Sequence, residues 1–258
     1  MLRRFEFNQV YQPTREWDAL PDALGRPFQD LMLTSADGAR ISAWFFPADP
    51  GSPRRNTAFL ICHGNGGNIS HRLLTVRTLL RTGASVMVFD YRGYGHSEGK
   101  LNEEGTYLDA QAACAWARQQ GMTRIIPFGK SLGGAIAAEL ALRESVAALV
   151  LVGAFTSIAD VGAEYFPWLP VRYFNTIKYQ TLAKLPLAKV PVLVMHSRED
   201  EIIRYRHGER NFAAANEPKT FLELHGSHNE TLAVNGDRCV AALEKLMAEV
   251  ENRETVSK

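Results

Sequence analysis

Ile125-Ile126-Pro127-Phe128-Gly129-Lys130-Ser131-Leu132-Gly133-Gly134 is the stretch that decides the fold. An apolar run ends at a serine between glycines, and the chain continues through Ala135-Ile136-Ala137-Ala138-Glu139-Leu140-Ala141-Leu142, a row of helix formers. Gly129 and Gly133 bracket Ser131 in the G-x-S-x-G spacing of a nucleophile elbow. In such an elbow a strand turns so sharply into a helix that no Cβ fits two residues on either side, and the serine hydroxyl is pushed into the open. Glycine and serine also crowd ordinary loops, so the motif carries weight only with a strand before it and a helix after it, and both are present. Pro127 is the discordant residue. A central strand uses every backbone N–H and proline has none, which predicts a bulge or a missing ladder bond there.

Outward from the elbow, the pattern is β-α-β. Thr57-Ala58-Phe59-Leu60-Ile61-Cys62 is a continuous apolar run of the kind buried on both faces of a parallel sheet. Helical segments near Ser70 to Arg81 and Glu103 to Gln119 alternate with strands at Ser85 to Asp90, Arg124 to Phe128, Ala148 to Val152, Val192 to His196 and Thr220 to Leu224. Nearer the N-terminus, two strand-like pieces, Phe28 to Thr34 and Ile41 to Phe46, flank the turn signal Ser35-Ala36-Asp37-Gly38 and predict an antiparallel start. The expected fold is α/β, with about eight mostly parallel strands and helices on both faces.

A serine hydroxyl is a weak nucleophile until a base takes its proton, and the base needs a third group to fix its tautomer. An elbow therefore predicts a later acid and then a histidine. The strand Val192 to Met195 runs into His196-Ser197-Arg198-Glu199-Asp200-Glu201, and Asp200 is the expected acid, with Glu199, Glu201 and Asp90 as competitors. The last strand runs into His225-Gly226-Ser227-His228-Asn229-Glu230, and His228 is the expected base. The tetrahedral intermediate also needs backbone donors. His63-Gly64-Asn65-Gly66-Gly67-Asn68 can turn amides toward a ligand, so Asn65 N–H and Leu132 N–H are the expected oxyanion hole. The same loop also reads as a helix start, with Asn68 or Ser70 as the N-cap.

Composition sets the frame. A chain of 258 residues with 46% hydrophobic and 22% charged residues suits one α/β domain over 1–258, with a helical cap insertion at about 155–189. Net charge is +1 and no basic run exceeds Arg3-Arg4 or Arg54-Arg55, so the expected partner is a small-molecule ester or acyl substrate and not a nucleic acid. Cys62, Cys114 and Cys239 show no C-x-x-C or metal-ligand spacing; buried free thiols in a reducing compartment are expected, with no metal and no cofactor. The N-terminus has no apolar signal region, and no stretch nears ~18 apolar residues. A cytoplasmic protein without a transmembrane segment is the expectation. Within the insertion, Tyr165-Phe166-Pro167-Trp168-Leu169-Pro170-Val171-Arg172-Tyr173-Phe174 is aromatic enough to suggest that Phe166, Trp168 and Tyr173 line an acyl pocket.

Taken together, His-Gly-Asn-Gly-Gly-Asn at 63–68, Asp-Tyr-Arg-Gly-Tyr-Gly-His-Ser-Glu-Gly at 90–99, Gly-Lys-Ser-Leu-Gly-Gly at 129–134, the Asp200 loop and Gly-Ser-His-Asn-Glu at 226–230 resemble α/β-hydrolases of the BEM46-like group, close to the eukaryotic ABHD13/ABHD17-type serine hydrolases. The resemblance runs from about Phe28 to the C-terminal helix. It implies a Ser131, Asp200 and His228 triad with an oxyanion hole at Asn65 and Leu132. Ser197 and Arg204 depart from it, standing where such proteins often carry glycine and proline. The expected function is that of a serine hydrolase cleaving carboxylic esters, or thioesters or small amides, through an acyl-enzyme. Rival readings are a peptidase or acyltransferase on the same triad, and a non-catalytic ligand-binding member of the fold.

Overall fold

The computed structural model describes residues 2–256. Eight strands form the main sheet: β1 (Gln29–Thr34), β2 (Arg40–Phe46), β3 (Thr57–Cys62), β4 (Ser85–Phe89), β5 (Arg124–Lys130), β6 (Leu149–Val152), β7 (Val192–Ser197) and β8 (Lys219–Leu224). Their order is β8-β7-β6-β5-β3-β4-β2-β1. β2 runs antiparallel to both of its neighbours and every other pairing is parallel. The antiparallel start turns at Ser35, whose carbonyl accepts from Gly38 N–H at 2.8 Å, with Gly38 at φ +89°.

Continuous apolar runs become central strands because both faces of the sheet are covered. Along β3, Ala58, Leu60 and Cys62 face one core, while Phe59 and Ile61 face the other. The first core is closed by α3 (Glu103–Gln119) and α4 (Leu132–Arg143), the second by α2 (Leu73–Leu80) and the C-terminal helix (Gly236–Val256). All three cysteines are buried and free, and burial pushes the Cys114 and Cys239 thiols up to about 11.

Pro127 produces no bulge. The β3–β5 register is unbroken from Thr57↔Arg124 to Cys62↔Gly129, and the ladder to β6 starts one residue past the proline, at Phe128↔Val150. The expected ladder defect is therefore a shortened pairing on one side. The helix expected from Ser70 opens as a tight turn, Ile69–Arg72, capped by Asn68, whose side-chain oxygen accepts from Ser70 N–H at 3.0 Å.

Two features before and after the core position the site. Ahead of β1, helix α1 (Leu2–Val10) leads into Gln12–Pro13, which pairs in parallel with Gly66–Gly67. Between β6 and β7, the chain forms α5 (Ile158–Tyr165), α6 (Val171–Phe174) and α7 (Thr181–Lys184). No helix among the described residues is long and apolar enough to cross a membrane.

Candidate active site

Ser131 sits between β5 and α4 at φ +53°, a left-handed conformation that non-glycine residues rarely adopt. The glycines around it explain how that turn is held. A Cβ on Gly129 would lie 2.4 Å from the Gly133 carbonyl, one on Gly133 would lie 1.9 Å from the Cys62 carbonyl, and one on Gly134 would lie 2.4 Å from Ala154 Cβ. Strand, elbow and helix approach so closely that only glycine fits. Ser131 N–H donates to Val152 O at 2.9 Å, tying the elbow to the end of β6.

β7 and β8 lie side by side, and the two loops that leave them meet. His228 Nδ1 lies 2.7 Å from Asp200 Oδ2, and both side chains are buried. A carboxylate only accepts, so Nδ1 carries the hydrogen and Nε2 is left as an acceptor. The other Asp200 oxygen accepts from Ile202 N–H and Ile203 N–H at 3.0 and 2.7 Å, which fixes the carboxylate in place. Its competitors have other partners: Glu199 meets His225 Nδ1 at 3.0 Å and also accepts from Gly226 N–H, while Glu201 accepts from His228 N–H at 3.0 Å. Asp90 is buried elsewhere and accepts from Ile69 N–H at 2.9 Å. Ser197 also joins the two loops, donating its hydroxyl to Gly226 O at 2.6 Å.

Gly153, after β6, brings Ser131 and His228 to one place. It follows Val152, which holds Ser131 N–H, and a Cβ on it would stand 3.3 Å from both His228 Cε1 and Asp200 Oδ2. Among the described residues no hydrogen bond joins the Ser131 hydroxyl to the imidazole. Contacts of this type commonly tighten only when substrate binds. Lys130, next to Ser131, reaches the histidine loop with Nζ 3.5 Å from Asn229 O, and burial with the nearby Arg72 guanidinium pushes its ammonium down to about 8.

Asn65 and Leu132 border the same cavity as Ser131. Leu132 opens α4, where backbone N–H groups have no partner within the helix. Among the described residues neither Asn65 N–H nor Leu132 N–H donates to a protein acceptor. The loop carrying Asn65 is held by its carbonyls. His63 Nδ1 lies 2.7 Å from Gly64 O, in the peptide that carries Asn65 N–H. A carbonyl only accepts, so Nδ1 carries a hydrogen and donates it, and burial holds the His63 pKa below its ordinary value. Tyr91 OH donates to His63 O at 3.0 Å, while Tyr94 OH and Gln12 N–H donate to Asn65 O at 2.7 and 3.0 Å. Sequence alone does not reveal these positioning groups, because Asp90 to Gly95 reads as a simple turn. The only signal is a pair of tyrosines in a glycine-bearing loop that follows a neighbouring strand.

The cavity at Ser131 encloses about 370 Å³ and takes its apolar walls from Phe155, Ile158, Val161, Phe166 and Ile203. Of the aromatic residues expected to line it, Phe166 does. Trp168 and Tyr173 do not: they stand 78% and 87% exposed, outside its walls. An aromatic run on a short surface helix cannot turn every ring inward.

Comparison with known proteins agrees with this architecture. A family model described as the alpha/beta hydrolase fold matches residues 57–178. An uncharacterised protein of Mycobacterium tuberculosis is 38% identical over 86% of this chain and 79% of its own length. The alpha/beta hydrolase domain-containing protein WAV2 of Arabidopsis thaliana is 32% identical over 92% of this chain and 85% of its own, and bem46 of Schizosaccharomyces pombe is 29% identical over 78% and 72%. The esterase Pf2001 of Pyrococcus furiosus superposes with a TM-score of 0.77 at 20% identity, covering 92% of this chain and 98% of that one. With these relatives and this sheet, the chain belongs to the α/β-hydrolase family, in the group that includes WAV2 and bem46.

Proposed function

We propose that the protein is a serine hydrolase that cleaves carboxylic esters, or the related thioesters and small amides, through an acyl-enzyme. The observation that carries this reading is the buried Asp200–His228 pair at 2.7 Å set beside a left-handed serine at the head of α4. Ser131 Oγ attacks the acyl carbon as His228 Nε2 takes its proton, and Asp200 holds the ring in the tautomer that makes Nε2 basic. The oxyanion accepts from Asn65 N–H and Leu132 N–H. When the tetrahedral intermediate collapses, the leaving alcohol takes the proton from Nε2 and the acyl group stays on Ser131. Water then repeats the cycle as nucleophile and frees the acid. No step draws on a cofactor.

A fluorophosphonate probe reports the nucleophile directly. Wild-type protein is expected to label covalently and to turn over p-nitrophenyl esters, and Ser131→Ala is expected to lose both while keeping its melting temperature. Turnover by Ser131→Ala within tenfold of wild type would remove this reading.

A further inference from the structure

We infer that the N-terminal helix and the β6–β7 insert flank a second, half-open apolar chamber that holds the far end of a long acyl chain whose carbonyl lies at Ser131. This rests on the serine-hydrolase reading and adds the acyl class.

Two cavities adjoin. The first contains Ser131 and is bounded by Gln9, Val10 and Gln12 as well as by the insert. The second, of about 100 Å³, lies between Phe5 of α1 and Leu169, Val171 and Phe174 of the insert. Gln9, Val10, Ile158, Gly162 and Phe166 border both, so the second chamber begins where the first ends. At roughly 30 Å³ per water-sized group, it has room for at least about three methylenes.

Its chemistry suits hydrocarbon. Among the described residues Glu6 is the one ionisable group in the lining, and its carboxylate is already engaged: it accepts from Thr176 N–H and Oγ at 2.7 Å each, and from Ile177 N–H at 2.9 Å. That carboxylate fastens α1 to the insert. Tyr11 OH lies 3.0 Å from Tyr179 OH, and the Phe5 and Phe166 rings meet edge to face at 5.7 Å. Soluble proteins rarely leave apolar concavities open without a use. An apolar groove that adjoins the nucleophile's own cavity, between elements fastened to each other, is where an acyl tail extends.

The test is the ratio of kcat/KM for p-nitrophenyl palmitate to that for p-nitrophenyl butyrate, measured on wild type and on two variants that fill the chamber from opposite sides, Leu169→Trp from the insert and Phe5→Trp from α1. Each methylene lost from an apolar site is worth roughly fourfold. Both variants are expected to lower the ratio by about tenfold or more. Phe5 is 45% exposed, so Phe5→Trp keeps the test valid if Leu169→Trp fails to fold. Turnover with a ratio within twofold of wild type in the folded variants overturns the chamber alone. Absence of both turnover and fluorophosphonate labelling in wild type overturns the serine-hydrolase reading and the chamber with it.

Discussion

Ser131 holds a backbone conformation that costs about 1–2 kcal/mol, and it does so because its neighbours are too close to allow anything else. The same economy of space governs the acid. Three consecutive carboxylates face the histidine loop, yet each holds a different part of it. Glu199 binds the loop's start, Glu201 binds the His228 amide, and only Asp200 meets the ring. Removing the ring's orienting carboxylate should therefore be of a different order from removing its neighbours. Asp200→Asn is expected to lower kcat on the order of 10⁴, as in well-studied triads, whereas Glu199→Gln and Glu201→Gln are expected to stay within tenfold. Steady-state kinetics on the three variants separates the roles, and equal losses would dissolve the distinction. Tyr94 makes a subtler case. Its hydroxyl is one of two donors on the Asn65 carbonyl, and a neutral hydrogen bond is worth about 1 kcal/mol. With Asn65 N–H as the proposed oxyanion donor, Tyr94→Phe is thus expected to reduce kcat several-fold with KM nearly constant, because a misplaced donor of that kind matters in the transition state more than in substrate binding. A rise in KM at unchanged kcat would instead place Tyr94 in substrate binding.

At the scale of elements, what the sequence shows and what it hides divide by contact range. The apolar strands and the Asp37-Gly38 turn depend on neighbours a few residues away, and the elbow, although it packs on Cys62 and Ala154, leaves its mark in local glycine spacing, so periodicity and spacing reveal them. α1 escapes because its reason for existing is remote: Glu6 binds Thr176 and Ile177, and Tyr11 meets Tyr179. Trp168 and Tyr173 mislead because hydrophobicity does not say which way a side chain on or beside a four-residue helix turns. The loop after β4 is hidden for the same reason as α1. Arg92 bridges Asp37, in the β1–β2 turn, to Asp109, on α3, and its link to Asp109 at 2.8 Å is buried. Taking away one partner of a buried pair leaves a charge without water or counter-ion, at a typical loss of about 3–5 kcal/mol. Asp109→Ala is expected to fall near the lower end of that range, since Asp37 still faces the guanidinium. Loss of the more exposed pair Arg143–Glu104 should cost less than about 1 kcal/mol. Urea titrations of Asp109→Ala and Glu104→Ala compare them, and similar midpoints would mean that burial does not set the strength of these contacts.

For the whole molecule, the buried histidines link folding to pH. His63 opens the Asn65 loop with Nδ1 2.7 Å from Gly64 O, His196 stands one residue before the end of β7 with Nε2 2.7 Å from Ile203 O, and His207 accepts from Thr156 N–H at 3.1 Å. In each, burial is the main force holding the pKa below the ordinary value, ahead of the attraction of Asp90, Asp200 or Glu164. The unfolded chain, with ordinary imidazoles near about 6.5, takes up these protons first as pH falls. Between that pH and the lower folded values, the unfolded state binds more protons, and stability must decline with acidity, by at most about 1.4 kcal/mol per pH unit for each histidine. Their contribution is complete above about pH 6.5 and erodes below it. Urea midpoints measured at pH 7.5 and 5.5 are therefore expected to fall at the lower pH, well before the carboxylates of the surface pairs titrate. His207→Gln, which keeps a side chain able to accept from Thr156, is expected to flatten the decline by removing one titrating group. An unchanged midpoint at pH 5.5 would mean that these rings gain their protons without unfolding, and that the nearby carboxylates outweigh burial after all.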